Sequence, residues 1–143
     1  MQNYFEGKIS YKQLDDNGQQ KKVAESHVIE AFHFGEAEKR LQKELEAYVS
    51  QGNQLEVVSL KRSNISQIIN AKGDEEFFFK AKVNEITVNE KSGKEKKSSW
   101  QALIRANDID DAKEKLTDFQ KGTMSDWELG SISETPIIDV FLK

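Results

Sequence analysis

Two stretches, NGQQKKV (Asn17 to Val23) and SGKEKKS (Ser92 to Ser98), each lie between runs that alternate apolar and polar residues. This repetition constrains the fold more than any other feature. Alternation at period two specifies half-buried strands, and a polar, glycine-bearing break between two such runs specifies a hairpin. In YFEGKISY (Tyr4 to Tyr11), Phe5, Gly7, Ile9 and Tyr11 share one face, and Tyr4, Glu6, Lys8 and Ser10 share the other. DDNG (Asp15 to Gly18) supplies turn chemistry, and Asn17-Gly18 is expected to take positive φ at both central positions of a tight hairpin. A second strand is expected from about Lys21 to Phe32, with Val23, Ile29 and Ala31 on one face.

Phe34, Ala37, Leu41, Leu45 and Tyr48 then recur at three- and four-residue steps, which predicts an amphipathic helix that Gly52 ends. Leu55 to Ile69 is rich in β-branched residues and reads as one long strand or two short ones. The second half repeats this order. FFKAKVNE (Phe78 to Glu85) matches YFEGKISY, ALIRA (Ala102 to Ala106) matches HVIEA (His27 to Ala31), and IDDAKEKL (Ile109 to Leu116) matches FGEAEKRL (Phe34 to Leu41). WELGSISETPIIDVF (Trp127 to Phe141) matches LEVVSLKRSNISQII. Identities include Phe5 with Phe79, Lys8 with Lys82, Gly18 with Gly93, Ala37 with Ala112, Leu41 with Leu116 and Ile65 with Ile137.

The pattern reads as an α+β fold: a tandem duplication of a β-β-α-β unit, with pseudo-repeats at about 4–70 and 77–142 in a single domain spanning 1–143. One helix and three strands leave an open sheet edge and an incomplete core. The two units are therefore expected to join into one mainly antiparallel sheet with two helices on one face.

Positions that differ between the halves are where function can be added to a shared scaffold. Glu25 stands where Trp100 stands, on the face expected to point inward, so either one of them lies at a rim or groove, or the register shifts and exposes Glu25. His33 occupies the slot where Asp108 is expected to cap the second helix in a capping box with Asp111. Lys61 and Arg62 correspond to Ser133 and Glu134, so a basic spot exists in one half only. Pro136, the only proline, suggests an edge or kink in the last strand.

The pairs Lys21-Lys22 and Lys96-Lys97 begin equivalent strands and, with Lys8 and Lys82, are candidates for binding phosphates. The ligand-binding expectation therefore rests on Lys21, Lys22, Lys96, Lys97, Trp100, Lys61 and Arg62. Consecutive aromatics at Phe77, Phe78 and Phe79 point to both faces of a strand, and the C-terminal PIIDVFLK is apolar for a tail. Phe77, Phe78, Ile138 and Phe141 are accordingly expected at an interface, most simply that of a homo-oligomer.

No cysteine is present, which excludes thiolate nucleophiles, disulfides and cysteine-ligated metals. Only His27 and His33 are available as imidazoles, and no phosphate-loop, dinucleotide-binding, nucleophile-elbow or zinc-protease motif occurs. Asp15-Asp16 falls in a turn, and Asp108, Asp110 and Asp111 lie at a helix start, where acids belong for ordinary reasons. The expectation is a non-enzymatic protein with no cofactor and no metal. With a net charge of −4, a surface that grips nucleic acid everywhere is disfavoured, although local basic patches remain compatible. The N-terminus lacks the apolar core of a signal peptide, and no run approaches the ~20 apolar residues of a membrane span. A cytoplasmic protein without membrane contact is expected.

The stretches YFEGKISYKQLDDNGQQKKVAESHVIEAFHFGEAEKRL, VNEITVNEKSGKEKKSSWQALIRANDIDDA and, most specifically, KGTMSDWELGSISETPIIDVF resemble a domain family of unknown function common in Bacteroidota and their phages. The resemblance spans essentially the whole chain and brings no activity and no site residues. Its relatives tend to carry a small hydroxyl residue before the first helix, where this chain has His33. What it implies is a setting, in which a small protein binds something instead of transforming it. Three expectations follow: sequestration of a nucleotide-type ligand or inhibition of a host defence protein; single-stranded nucleic-acid binding in phage replication, with Trp100 and the phenylalanines as stacking platforms; and a protein–protein adaptor acting through its sheet edges.

Overall fold

The computed structural model describes residues 3–46, 55–123 and 125–143. Tyr48 and Gly52, expected to end the first helix, lie outside the described residues. The chain forms β1 (Asn3–Leu14), β2 (Gln20–Ala31), α1 (Phe34–Leu45), β3 (Glu56–Arg62), β4 (Ile65–Ile69), β5 (Phe77–Val88), β6 (Glu95–Ala106), α2 (Ile109–Gln120), β7 (Asp126–Glu134) and β8 (Ile137–Phe141). The α+β class and the mainly antiparallel pairing hold. The single sheet does not: the strands form two four-stranded sheets, ordered β3-β1-β2-β8 and β4-β6-β5-β7.

Two compact units result. Unit 1 comprises residues 1–63 and 136–143, and unit 2 comprises residues 64–135. The long stretch Leu55 to Ile69 is two strands, and the chain leaves unit 1 between Ser63 and Asn64, at the break between them. It returns at Pro136, between β7 and β8, where a residue without an N–H interrupts no ladder. Each half therefore contributes its last short strand to the sheet of the other half. β8 pairs in parallel with β2, from Ser26 opposite Ile137 to Ile29 opposite Phe141, and β4 pairs in parallel with β6, from Gln101 opposite Ile65 to Ile104 opposite Ile69.

Matching registers run through both units. β1 and β2 pair from Asn3 opposite Ala31 to Leu14 opposite Gln20, and β5 and β6 pair from Phe77 opposite Ala106 to Val88 opposite Glu95. The strand pairs β1–β3 and β5–β7 carry irregularities at corresponding places, after Lys8 and after Lys82. The connections are longer than a tight two-residue turn. Asp15 Oδ1 accepts from the amides of Asn17 and Gln19, and Asn89 Oδ1 accepts from those of Lys91 and Ser92, so an Asx side chain organises each loop. Positive φ falls on Gly18 and Gly93 alone of these loop residues, and Asn17 does not need it.

Both helices are capped as the local chemistry dictates. Asp108 accepts from the Asp111 amide at 2.7 Å while Asp111 accepts from the Asn107 amide at 2.9 Å, a reciprocal box. His33 does the same work in unit 1, its Nδ1 accepting from the Glu36 amide at 3.2 Å while Glu36 accepts from the Phe32 amide at 3.2 Å. Each helix packs on the sheet of its own unit, so the expectation of two helices on one sheet face gives way to one helix per sheet. Only two residues join β2 to α1 and β6 to α2, which leaves each helix no other apolar face to cover.

Ala37, Leu41 and Leu45 of α1 pack with Phe5, Ile9, Ile29 and Ala31, and Ala112 and Leu116 of α2 pack with Phe79, Ala81, Val83, Ala102, Ile104 and Ala106. In unit 1 the close approach depends on Gly7, since a Cβ there would fall 2.5 Å from Leu41 Cδ2. The faces opposite the helices are partly buried as well, at Ser10, Val28 and Glu30 in unit 1 and at Phe78 and Leu103 in unit 2. Phe78, expected at an interface, is wholly buried within the chain with the Arg105 guanidinium 5.1 Å from its ring centroid, and presents no surface to another molecule. Phe77 and Ile138 remain exposed.

Candidate functional site

The helix-facing side of β1 and β2 continues past the apolar core into a polar cluster. From Phe5–Ile29 the cross-strand ladder runs through Gly7–His27 and Ile9–Glu25 to Tyr11–Val23. Period-two geometry thus places Tyr11, Glu25 and His27 on one face, at its end beyond Ile9 and Ile29. The register does not shift, so Glu25 points inward as its alternation implies and lies at a groove instead of in solvent. β8 then brings Ile138, Asp139 and Phe141 alongside β2. Together with Leu45 of α1, these residues line a cavity of about 210 Å³.

The polar groups are tied to one another. The Tyr11 hydroxyl donates to Glu25 Oε1 at 2.7 Å, and His27 Nε2 lies 3.4 Å from Glu25 Oε2. The bond to Glu25 holds the Tyr11 hydroxyl protonated, with its pKa pushed up to about 12, and partial burial and the charge of Glu25 add to the effect. His27 is only 2% exposed. Burial pushes its pKa below the usual imidazole value, against the opposing pull of the Glu25 contact and of the Glu25 and Asp139 charges, so the neutral ring is favoured near neutral pH. The Glu25 contact assigns the ring proton to Nε2. That leaves Nδ1 an acceptor, buried and without a partner among the described residues. Phe141 stacks on the imidazole, with ring centroids 5.4 Å apart and planes 18° apart.

The corresponding positions of unit 2 carry different side chains. Ala102 stands for His27, Trp100 for Glu25 and Glu85 for Tyr11. Trp100 donates its indole N–H to Glu85 at 3.1 Å and meets Phe119 edge-on at 6.4 Å. The tie across the hairpin is kept while the imidazole is gone.

Of the residues anticipated from sequence, Ile138 and Phe141 line the unit 1 cavity. Lys21 and Lys22 are exposed near the tip of the β1–β2 hairpin, opposite Gln13 and Lys12. Lys96 and Lys97 occupy the matching place in unit 2, and Lys97 pairs with Glu128 at 2.8 Å. Lys61 lies 3.5 Å from Glu6, and Arg62 sits over the Phe5 and Phe34 rings at 5.2 and 5.7 Å. Trp100 is engaged by Glu85 and Phe119 as above. Tyr11, Glu25, His27 and Asp139 were not among the anticipated binding residues. The signal for them was present in the exchange of His27 for Ala102 at an inward strand position. Among the described residues, no group of three or more metal-ligating side chains occurs and no helix is long and apolar enough to cross a membrane.

A family model described as a domain of unknown function (DUF4494) matches residues 3–143, and the chain belongs to that family. No curated protein and no solved structure matches the chain.

Proposed function

We propose that this protein is a non-enzymatic binding protein whose unit 1 cavity takes the ring of a nucleotide-type ligand, with a guanine-like edge against Glu25. The observation that carries the reading is the acceptor set of the partly buried Glu25 and the buried, unpartnered His27 Nδ1, beside Phe141, Ile138 and Leu45. Each carboxylate oxygen has two lone pairs, so Glu25 keeps capacity after accepting from Tyr11 and His27. A carboxylate suits two adjacent N–H donors, which guanine offers on its pairing edge and adenine does not.

Magnitudes decide how much of the ligand enters. The cavity of about 210 Å³ is below the ~300–1,000 Å³ of sites that enclose a drug-sized molecule, so it suits one ring system. With Glu25 and Asp139 in its lining, it also repels phosphate. Lys21 lies four residues from Glu25 on the same strand face, roughly 13 Å away at about 3.3 Å per residue, where a flexible side chain meets phosphates projecting outward. Sequestration of such a nucleotide without turnover fits the phage setting that the family resemblance implies, as a means of withholding a signal from a host defence.

A thermal-shift comparison of guanosine, adenosine and cyclic nucleotides at low and moderate salt tests this. A guanine ligand at 100 times its dissociation constant should stabilise the protein by about 2.7 kcal/mol, several degrees for a chain of this size. Equal shifts with adenine and guanine ligands, or none with either, would remove the assignment.

A further inference from the structure

In unit 1, Phe5 meets Phe34 edge-on at 4.9 Å, and Arg62 lays its guanidinium over both rings. Beside them Lys143 stands 3.5 Å from the centroid of the Phe32 ring. The aromatic cluster at the start of α1 is thus covered by cations of its own chain. By register, Phe79 is the counterpart of Phe5 and Glu134 that of Arg62, for Phe5 pairs with Arg62 as Phe79 pairs with Glu134. Ile109 replaces Phe34 at the first helical position, and Asn107 replaces Phe32.

The substitution of Glu134 for Arg62 removes the covering cation and reverses the charge. In its place unit 2 has an open groove of about 360 Å³ lined by Phe77, Phe79, Asn107, Asp108, Ile109 and Glu134. Asp108 spends one oxygen on the Asp111 amide, whereas the Glu134 carboxylate makes no hydrogen bond or ion pair among the described residues. Phe77 and Ile109 are 37% and 41% exposed, an apolar lip beside two acids.

We infer that this groove is a docking site for an arginine side chain of a partner protein. The guanidinium would take the position over Phe79 that Arg62 takes over Phe5, with Glu134 as its planar bidentate acceptor and Phe77 and Ile109 against its methylene stem. Arginine is favoured over lysine because the site joins an aromatic ring to a carboxylate, and a planar fork satisfies both at once. The site is independent of the unit 1 cavity and stands whether or not that cavity binds a nucleotide.

The test is an NMR titration of the whole chain with Nα-acetyl-arginine amide, followed at the Ile109 methyl and the Phe79 ring, beside the lysine and citrulline analogues. Saturable shifts with arginine at millimolar concentration are expected, at least about tenfold weaker with citrulline, which keeps the shape and loses the charge. Glu134→Gln should weaken binding by about tenfold. Glu134→Arg should abolish it by placing a guanidinium in the groove, with an unchanged melting temperature showing that the fold is intact. Equal response to arginine and citrulline, or binding that survives Glu134→Arg in the folded protein, would overturn the inference. So would concentration-dependent dimerisation abolished by Arg62→Gln, because the occupant would then be a second copy of this chain.

Discussion

Tyr11 donates its hydroxyl to Glu25 at 2.7 Å, and at the matching positions of the other unit the roles are exchanged between strands, Trp100 of β6 donating to Glu85 of β5 at 3.1 Å. A cross-strand tie between a carboxylate and an aromatic donor is therefore a constant of both hairpins. Its composition is what varies, and in unit 1 a cavity lies beside Glu25.

Tyr11→Phe removes the donor and leaves a partly buried carboxylate short of one bond. A loss of about 1–2 kcal/mol is expected in urea denaturation, without a change in the slope against denaturant. The Tyr11 phenol should also titrate near 12 in the folded wild type by ultraviolet absorbance, against an ordinary value near 10.

His27 sets a pH dependence. Its folded pKa is depressed by burial, so below the unfolded value of 6.5 the unfolded chain takes up a proton that the folded chain resists. Stability is thus held above pH 6.5 and falls as the pH drops from there toward the folded pKa, by at most about 1.4 kcal/mol per pH unit for this one proton. A His27→Gln variant should lose that share of the slope between pH 6.5 and 5 in parallel denaturation series.

The exchanged strands make the halves dependent on each other. A fragment ending near residue 70 carries β4 without β6 and leaves β2 without β8. Each half expressed alone should show weak dispersion in amide NMR, and mixing the halves should restore the dispersion of the whole chain. A well-dispersed, cooperatively melting half would contradict the pairing.

Gly7→Ala places a methyl against Leu41, where Ala81 is accommodated at the matching position of unit 2. The side chain of Leu41 is fully buried, so it must shift within the core to admit the methyl. Overpacking should cost about 1–3 kcal/mol, and Leu41→Val in the same chain should recover part of it, a coupling measurable by a double-mutant cycle.

Much of this architecture was legible in the chain because its signals are local. Period-two alternation located both hairpins, period 3.6 located Ala37, Leu41 and Leu45, and Asp108 with Asp111 announced a cap. The division into two sheets was not legible. Ile65–Ile69 and Ile137–Phe141 have the same composition whichever hairpin they join, and their partners are fixed by contacts distant in sequence. The turns misled because Asn17-Gly18 matches a two-residue hairpin, whereas Asp15 captures two amides and makes a longer loop more stable. The cavity was half legible. Glu25 stood out against Trp100, yet its link to Asp139 and Phe141 depends on β8 arriving beside β2, which no local pattern encodes.

Isothermal titration of guanosine 5′-monophosphate into the wild type and into Glu25→Gln tests the central claim most directly. The account predicts saturable one-to-one binding to the wild type and a loss of at least about tenfold in Glu25→Gln, because an amide places a donor where the ligand also donates. Binding of equal strength to both proteins, or none to the wild type at millimolar nucleotide, would contradict it.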